Sequence, residues 1–217
     1  MRDGRVCVNG RVVRDPEFPT RGNDAIEVDG QPLQHARRLV IALNKPRGLV
    51  TTTKDERGRD TVYRCLDDSG LGWLAPVGRL DKASEGLLLF TNDPAFAAAI
   101  TNPESGPDKT YHVQVSTLID ESLPVRLRAG VQVPMPDGDA PVLTVKSARW
   151  LRQGERNAWL EIVLDEGRNR HIRRLLEAFG IEVLRLVRVA IGEVALDELP
   201  KGAWRELSAR EIASLTR

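Results

Sequence analysis

Residues 78–93 read GRLDKASEGLLLFTND. Asp81 stands between an Arg-Leu pair and an apolar run, and a carboxylate is rarely fully buried unless it is paired. The run at 87–91 is continuous and bounded by turn residues, which predicts a central β-strand. Two explanations of the aspartate are open: a turn ion pair with Arg79, or a reaction centre. On this stretch alone the ion pair is favoured, because surface ion pairs are common and cost little.

The segments around this strand predict an α+β fold. Apolar runs and alternating patterns predict further strands at 39–48, 109–116, 142–150, 158–164 and 183–192. Helices are predicted after Asn92 or Asp93 as N-cap, at 120–129, at 169–180 and from Ser208, where Glu211 completes a capping-box pattern. Because strands and helices do not alternate regularly, we expect a mixed, largely antiparallel sheet.

Composition narrows the class of protein. The chain has 217 residues, 41% of them hydrophobic, which is enough for one large domain or one domain with an appendage. Its formal net charge of +1 neither indicates nor excludes a nucleic-acid partner, because clustering of the basic residues decides binding. Two distant cysteines, no signal-peptide pattern and no long apolar run predict a cytoplasmic protein without membrane spans or a zinc site. P-loop, dinucleotide-binding and HExxH motifs are absent from the sequence.

The first 34 residues differ from the rest in their predicted secondary structure, which consists of short strands only. Residues 5–13 read as two short strands joined by Asn9-Gly10, a strong signal for a type I′ hairpin. A third short strand is predicted at Ile26–Val28. This amount of β structure is too small to form an independent core.

A basic segment, EGRNRHIRR, forms the start of the clearest helical pattern, whose apolar stripe contains Ile172 and Leu175. On the helix, Arg173 flanks this stripe and is placed to neutralise an interior carboxylate, whereas Arg170 and Arg174 point away from it and suit phosphates. A solvated face is the other explanation of this cluster. His171 is expected to be a surface or packing residue, and Tyr111, in the predicted strand 109–116, either packs in the core or stacks on a base.

Four segments together resemble a known family. In this order, LNKPRGLVTTTKDERGRDTV (43–62), VGRLDKASEGLLLFTND (77–93), KTYHVQV (109–115) and EGRNRHIRRLLEAFG (166–180) are similar to the motifs of bacterial ribosomal RNA pseudouridine synthases of the stand-alone type. The resemblance covers a catalytic domain at 38–217 and favours a catalytic role for Asp81 over the ion pair. Residues 1–34 resemble the second half of an S4 RNA-binding domain.

The resemblance implies a pseudouridine synthase fold with a central catalytic cleft, and isomerisation of uridine in ribosomal RNA without cofactor or metal. Asp81 matches the nucleophile, Tyr111 the tyrosine that stacks on the target base, and Arg173 the arginine that pairs with the aspartate. Attack on the sugar C1′ and attack on the base both stay open. The residues expected to bind the RNA substrate are Arg79, Lys109, Arg168, Arg170, Arg174 and Leu186.

Two departures from the family bear on the substrate. Ser84-Glu85-Gly86 stands where Thr-Ser or Thr-Thr before the glycine is usual, which favours large-subunit (23S) RNA, and His171 replaces a usual glutamine. The expected partner is ribosomal RNA or a ribosomal particle, bound by a monomer. Two other functions are open: a non-catalytic RNA-binding ribosome-assembly factor on the same fold, and a glycosidase-type hydrolase using Asp81 with Glu85.

Overall fold

The structure, a computed structural model, describes residues 1–33, 37–53, 57–67, 69–134 and 138–216. It divides into two compact units, Met1–Arg37 and Arg38–Arg217.

The first unit is a small antiparallel sheet. Its strands are β1 (Val6–Val8), β2 (Arg11–Val13), β3 (Ile26–Val28) and β4 (Gln31–Pro32), in the order β2-β1-β3-β4. Asn9 and Gly10 both have positive φ, which confirms the predicted hairpin turn. The likeness of this unit to an S4 domain stays a prediction.

The second unit contains the remaining elements. The strands are β5 (Val40–Lys45), β6 (Ala75–Val77), β7 (Glu85–Thr91), β8 (Lys109–Val115), β9 (Val131–Gln132), β10 (Val142–Leu143), β11 (Ser147–Gln153), β12 (Ala158–Leu164), β13 (Val183–Ile191), β14 (Val194–Ala195) and β15 (Trp204–Glu206). The helices are α1 (Pro94–Thr101), α2 (Leu123–Ala129), α3 (His171–Ala178) and α4 (Ala209–Leu215), with a 3-10 turn at Val62–Cys65.

One large mixed sheet organises this unit. Its strands follow the order β11-β12-β8-β13-β7-β5-β15, with β14 beside β13 and β6 beside β7. Only the β13–β7 pair is parallel among the described pairs of this sheet; the others are antiparallel. This is the α+β arrangement that the sequence predicts.

Burial separates the two halves of the sheet. Every residue of β5 and β7 is buried, because Leu88 and Phe90 pack into one hydrophobic cluster while Leu87 and Leu89 pack into another on the opposite face. In β8 and β12 burial alternates residue by residue, because only one face of these strands is covered. The continuous apolar run of the opening stretch therefore marks the strand at the middle of the fold.

The helices follow local signals. Asp93 caps α1 by accepting hydrogen bonds from the backbone N–H groups of Ala95 and Phe96, and Pro94 occupies its first turn. The capping box between Ser208 and Glu211 at α4 is present. Within the described ranges, no helix combines the length and apolar character needed to cross a membrane.

One predicted strand is wrong. The sequence predicts a single strand at 142–150, but the structure has two: β10 pairs with β9, and β11 pairs with β12. Pairing with different partners separates the two strands, and a long-range pairing of this kind leaves no local signal.

The central cleft originates at one edge of β7. The start of β7 pairs with β13 at Glu85 and Gly86, whereas its end pairs with β6 from Leu89 to Thr91. Two strands thus share one edge of β7 and diverge from it, which opens a gap between β6 and β13. Asp81 lies on the loop that leads into β7 at this gap.

Candidate active site

The cleft has a volume of about 670 Å³, within the range of nucleotide- and drug-sized sites. It brings together residues that lie far apart in the sequence. The predicted site residues that line it are Arg79, Asp81, Lys109, Tyr111, Arg168, Arg170 and Leu186. Arg173 and Arg174 do not line it.

The Asp81 loop is fixed through its backbone. The Ser84 N–H donates to the Asp81 carbonyl oxygen at 2.9 Å, closing a turn. The ammonium of Lys45 donates to the carbonyl oxygens of Ser84 at 2.7 Å, Pro46 at 3.1 Å and Asp81 at 3.2 Å. These contacts hold only the backbone of the loop. The Asp81 residue lines the cleft, and 34% of its side chain is exposed.

Lys45 is a fully buried cation that the sequence analysis did not single out. Burial lowers the pKa of its ammonium to about 8, and the nearby charges of Asp81, Cys65 and Glu85 oppose that shift. A lysine at the end of a strand that is apolar from Val40 to Leu43 was the available signal, because such a residue needs buried acceptors.

Arg170 supplies the ion pair of the Asp81 carboxylate. Its Nη1 lies 3.9 Å from Oδ2 of Asp81, and 47% of its side chain is exposed. Arg170 precedes α3 with φ 53°, in the left-handed region that non-glycine residues rarely occupy. Sparsely populated backbone conformations of this kind concentrate at functional sites.

Arg173 takes a different partner from the predicted one. Its Nη1 donates to the Val183 carbonyl at 3.1 Å and its Nη2 to the Ala83 carbonyl at 3.2 Å. Among the described residues its guanidinium forms no ion pair with Asp81, because these donors are directed at backbone carbonyls. Burial lowers the pKa of Arg173, as does Arg170, while the negative charge of Asp81 opposes the shift. Arg173 therefore braces the loop that carries Asp81 and adds a positive field beside it.

Tyr111 forms one wall of the cleft. It lies on β8 with 9% exposure, directly opposite Ile162 of β12 and Arg188 of β13. Leu186, also on β13, lines the cleft with an aliphatic side chain. Lys109, at the start of β8, has its pKa lowered by burial and then by the charge of Arg188. These side chains surround a space that combines an aromatic ring, an aliphatic surface and buried positive charge.

His171 is a buried residue of the cleft lining. Its Nε2 lies 2.7 Å from the Thr144 carbonyl oxygen, and its Nδ1 lies 3.7 Å from Oε1 of Glu166. A carbonyl can only accept, so Nε2 carries the proton and donates to it. Burial lowers the pKa of His171.

Glu85 lies outside the cleft. Its carboxylate accepts hydrogen bonds from Arg185 Nε at 2.9 Å and from Lys201 Nζ at 2.7 Å, with 4% of the side chain exposed. Burial alone would raise the pKa of Glu85, but the hydrogen bonds from these two cations lower it overall. The Asp81–Glu85 pair of a glycosidase-type hydrolase therefore does not form. Across the described residues no ion pair joins Asp81 to Arg79 either, so the turn pair is also wrong.

Arg188 and Glu166, which are not among the site residues predicted from the sequence, also line the cleft. Arg188 is a basic residue within an apolar strand pattern. The same kind of signal was available for Lys45. In the part of the chain that the structure describes, no group of three or more His, Cys, Asp or Glu residues is arranged to hold a metal ion.

Comparison with known proteins identifies the same region. The family model described as RNA pseudouridylate synthase matches residues 39–178. A relative from Aquifex aeolicus (strain VF5), named an uncharacterized RNA pseudouridine synthase, is 38% identical over 98% of this chain and 84% of its own length. A relative from Pasteurella multocida (strain Pm70), named ribosomal large subunit pseudouridine synthase B, is 35% identical over 98% of this chain; the chain spans 62% of that longer protein.

A solved structure titled as a pseudouridylate synthase is similar over nearly the whole chain. Its TM-score is 0.71 at 29% identity, covering 99% of this chain and 90% of the other. The range matched by the family model, residues 39–178, includes the Asp81 loop, β8 with Tyr111 and the start of α3 with Arg170. Fold, motifs and relatives therefore agree on one family.

Proposed function

The chain belongs to the RNA pseudouridylate synthase family, and we propose that it isomerises uridine to pseudouridine in ribosomal RNA with Asp81 as nucleophile. The observation that carries the assignment of Asp81 is its place at the cleft, on a loop whose backbone is held by Lys45 and Arg173.

The reaction begins with the ionised Asp81. Arg170 Nη1 lies 3.9 Å from Oδ2 of this carboxylate and forms its ion pair. A carboxylate oxygen attacks C1′ of the target uridine, as in retaining glycosidases, and the C1′–N1 bond breaks with its electron pair on the base. The uracil turns, its C5 attacks C1′ and the carboxylate leaves. The C5 proton is lost and N1 gains a proton.

The target base must leave its stack to reach Asp81. A base within a helix or a stacked loop is inaccessible, so it flips into the cleft. Tyr111 and Leu186 offer the aromatic and apolar surfaces against which a flipped base packs. The exposed arginines at the mouth, Arg79, Arg168 and Arg170, suit the phosphates of the flanking nucleotides.

Large-subunit RNA is the proposed substrate. The name of the Pasteurella multocida relative and the Ser84-Glu85-Gly86 sequence both favour it. We expect a monomer to act on this RNA, free or within a ribosomal particle.

The test is tritium release from 5-tritiated uridine in 23S RNA. Asp81→Asn keeps the side-chain size but removes the nucleophile, so turnover is expected to disappear while RNA binding survives. Asp60→Asn is the matched control, because Asp60 is exposed and paired with Arg64 away from the cleft, and it should retain wild-type turnover.

Full tritium release by Asp81→Asn would remove the nucleophile assignment. A wild-type protein that binds 23S RNA and releases no tritium from it would favour the non-catalytic assembly factor or another RNA substrate. Pseudouridine mapping of both ribosomal RNAs from a deletion strain separates these two outcomes.

A further inference from the structure

Arg188 is a buried cation that lines the cleft, and within the described ranges no carboxylate forms an ion pair with it. Its side chain lines the cleft although the residue is only 5% exposed. Nε donates to the Leu87 carbonyl oxygen at 2.7 Å, and Nη2 is buried without a hydrogen-bond partner. Across the described residues, Asp and Glu side chains form ion pairs with other cations but not with Arg188.

The sheet register fixes Arg188 beside the proposed base-stacking residue. Arg188 is directly opposite Tyr111 in the antiparallel β13–β8 pair, so their side chains leave the same face of the sheet. On its other side β13 runs level with Gly86 of β7. A Cβ on Gly86 would lie 2.3 Å from the Arg188 carbonyl oxygen, so only glycine permits this close approach. The guanidinium is thus held between the strand of Tyr111 and the strand that follows Asp81.

The burial of a guanidinium with an unpaired donor costs free energy unless another group or a ligand accepts from it. A buried polar donor without a partner costs free energy, and buried charges are normally paired. Two lysines near Arg188 add further positive charge: the charge of Arg188 contributes to the lowered pKa of both Lys45 and Lys109. The floor of the cleft therefore favours a ligand that brings electron-rich oxygen atoms.

Because Arg188 is buried, its position determines which part of the RNA can contact it. Phosphates of the flanking nucleotides stay at the mouth, where the arginines are largely exposed, whereas a flipped nucleotide enters base first. We propose that Arg188 donates hydrogen bonds to a carbonyl oxygen of the flipped uracil and stabilises the ring as it leaves C1′. This inference rests on the proposed function.

The contact between Arg188 and the uracil would stabilise negative charge that develops on the base during the reaction. When the C1′–N1 bond breaks, its electron pair spreads from N1 over the C2 and C4 carbonyl oxygens. A guanidinium already fixed by Leu87 needs no reorganisation to meet this charge, and loss of one such preorganised donor typically lowers the rate roughly 100- to 1,000-fold.

The experiment separates chemistry from binding. Single-turnover rates and RNA dissociation constants are measured for the wild type, Arg188→Met and Arg188→Lys over a series of salt concentrations. We expect Arg188→Met to lower the rate roughly 100- to 1,000-fold with a dissociation constant within about threefold of wild type. Arg188→Lys keeps a cation but loses the planar fork, so its rate should lie between the two. Arg152→Met, an exposed arginine of β11 over Trp159, is the control with unchanged rate.

Each outcome has a distinct meaning. An unchanged rate in Arg188→Met, or a loss confined to affinity with a salt slope reduced by about 1, overturns the proposal, the latter in favour of a phosphate contact. Should Arg188→Met fail to fold, Arg188→Lys decides: a wild-type rate overturns the proposal, and a reduced rate at unchanged affinity supports it. Failure of the wild type itself to release tritium contradicts the proposed function, which the Arg188 variants do not test.

Discussion

The floor and the mouth of the cleft hold the same kinds of charged side chain in opposite surroundings. The floor comprises Arg188, which lines the cleft, and Lys45, which is buried beneath the Asp81 loop outside the cleft lining; the donors of both bind backbone carbonyls of that loop and of β7. At the mouth, Arg168 and Arg170 have 45% and 47% of their side chains exposed. Water and salt screen the charges at the mouth but hardly reach those at the floor.

This difference assigns separate tasks to the two regions. A buried, bonded cation holds backbone and base in fixed positions, so its loss affects the rate of the chemical step. An exposed arginine attracts phosphates from a distance, so its loss affects affinity and its dependence on salt. Four further predictions, made on three variants, follow from this separation.

Among these three variants, the largest effect on the rate is expected for Lys45→Met at the floor. Met fills a similar volume but donates no hydrogen bond to the carbonyls of Asp81 and Ser84, so the loop loses its anchor. We expect the single-turnover rate to fall at least about tenfold, since small displacements of reacting groups are costly. Single-turnover assays at saturating enzyme measure this; a wild-type rate would show that the anchor is dispensable.

The same variant has a pH signature. The native state releases the Lys45 proton near pH 8, whereas the unfolded chain keeps it to about 10.5. The unfolded state therefore binds more protons in this window, and the free energy of unfolding rises with pH. Between pH 8 and 9.5 the wild type should gain roughly 2 kcal/mol relative to Lys45→Met, measured by urea unfolding. Parallel pH profiles would contradict the buried charge.

A moderate effect is expected for Arg79→Ala at the mouth. Arg79 is exposed, lines the cleft and forms no ion pair with another described residue. Loss of one phosphate contact should raise the RNA dissociation constant roughly three- to tenfold and reduce the salt slope by about 1, with the single-turnover rate unchanged. Arg149→Ala is the control, because Arg149 is paired with Glu161 away from the cleft. A slower chemical step in Arg79→Ala would break the separation between mouth and floor.

The smallest effect is expected for His171→Gln, between the two regions. Burial lowers the pKa of His171, so folding favours the neutral imidazole; the hydrogen bond to Thr144 and the negative charge of Glu166 oppose the shift, whereas the positive charge of Arg168 adds to it. As pH falls below about 6.5 the unfolded chain binds a proton that the native state resists, so stability is lost. Gln can still donate to Thr144 but does not titrate. Urea midpoints at pH 7.5 and 5.5 should therefore differ less for the variant, and equal differences would contradict this role.

Local signals in the sequence determined the elements and the family. The N-cap at Asp93, the capping box at Ser208 and the hairpin at Asn9-Gly10 each depend on residues within a few positions of one another. The apolar run after Asp81 indicated the central strand, and the order of four motifs indicated the family. Such features are readable because their energetics involve neighbours along the chain.

Only the tertiary structure decided which charges meet. Lys45 reaches the Ser84 carbonyl across 39 positions, and Arg188 reaches Leu87 across 101. The sequence suggested Arg173 as the partner of Asp81, but the left-handed turn at Arg170 brings that residue to the carboxylate and leaves Arg173 on the backbone. Residue identity fixes what a side chain can donate or accept, whereas strand register and loop conformation determine which partners lie within reach.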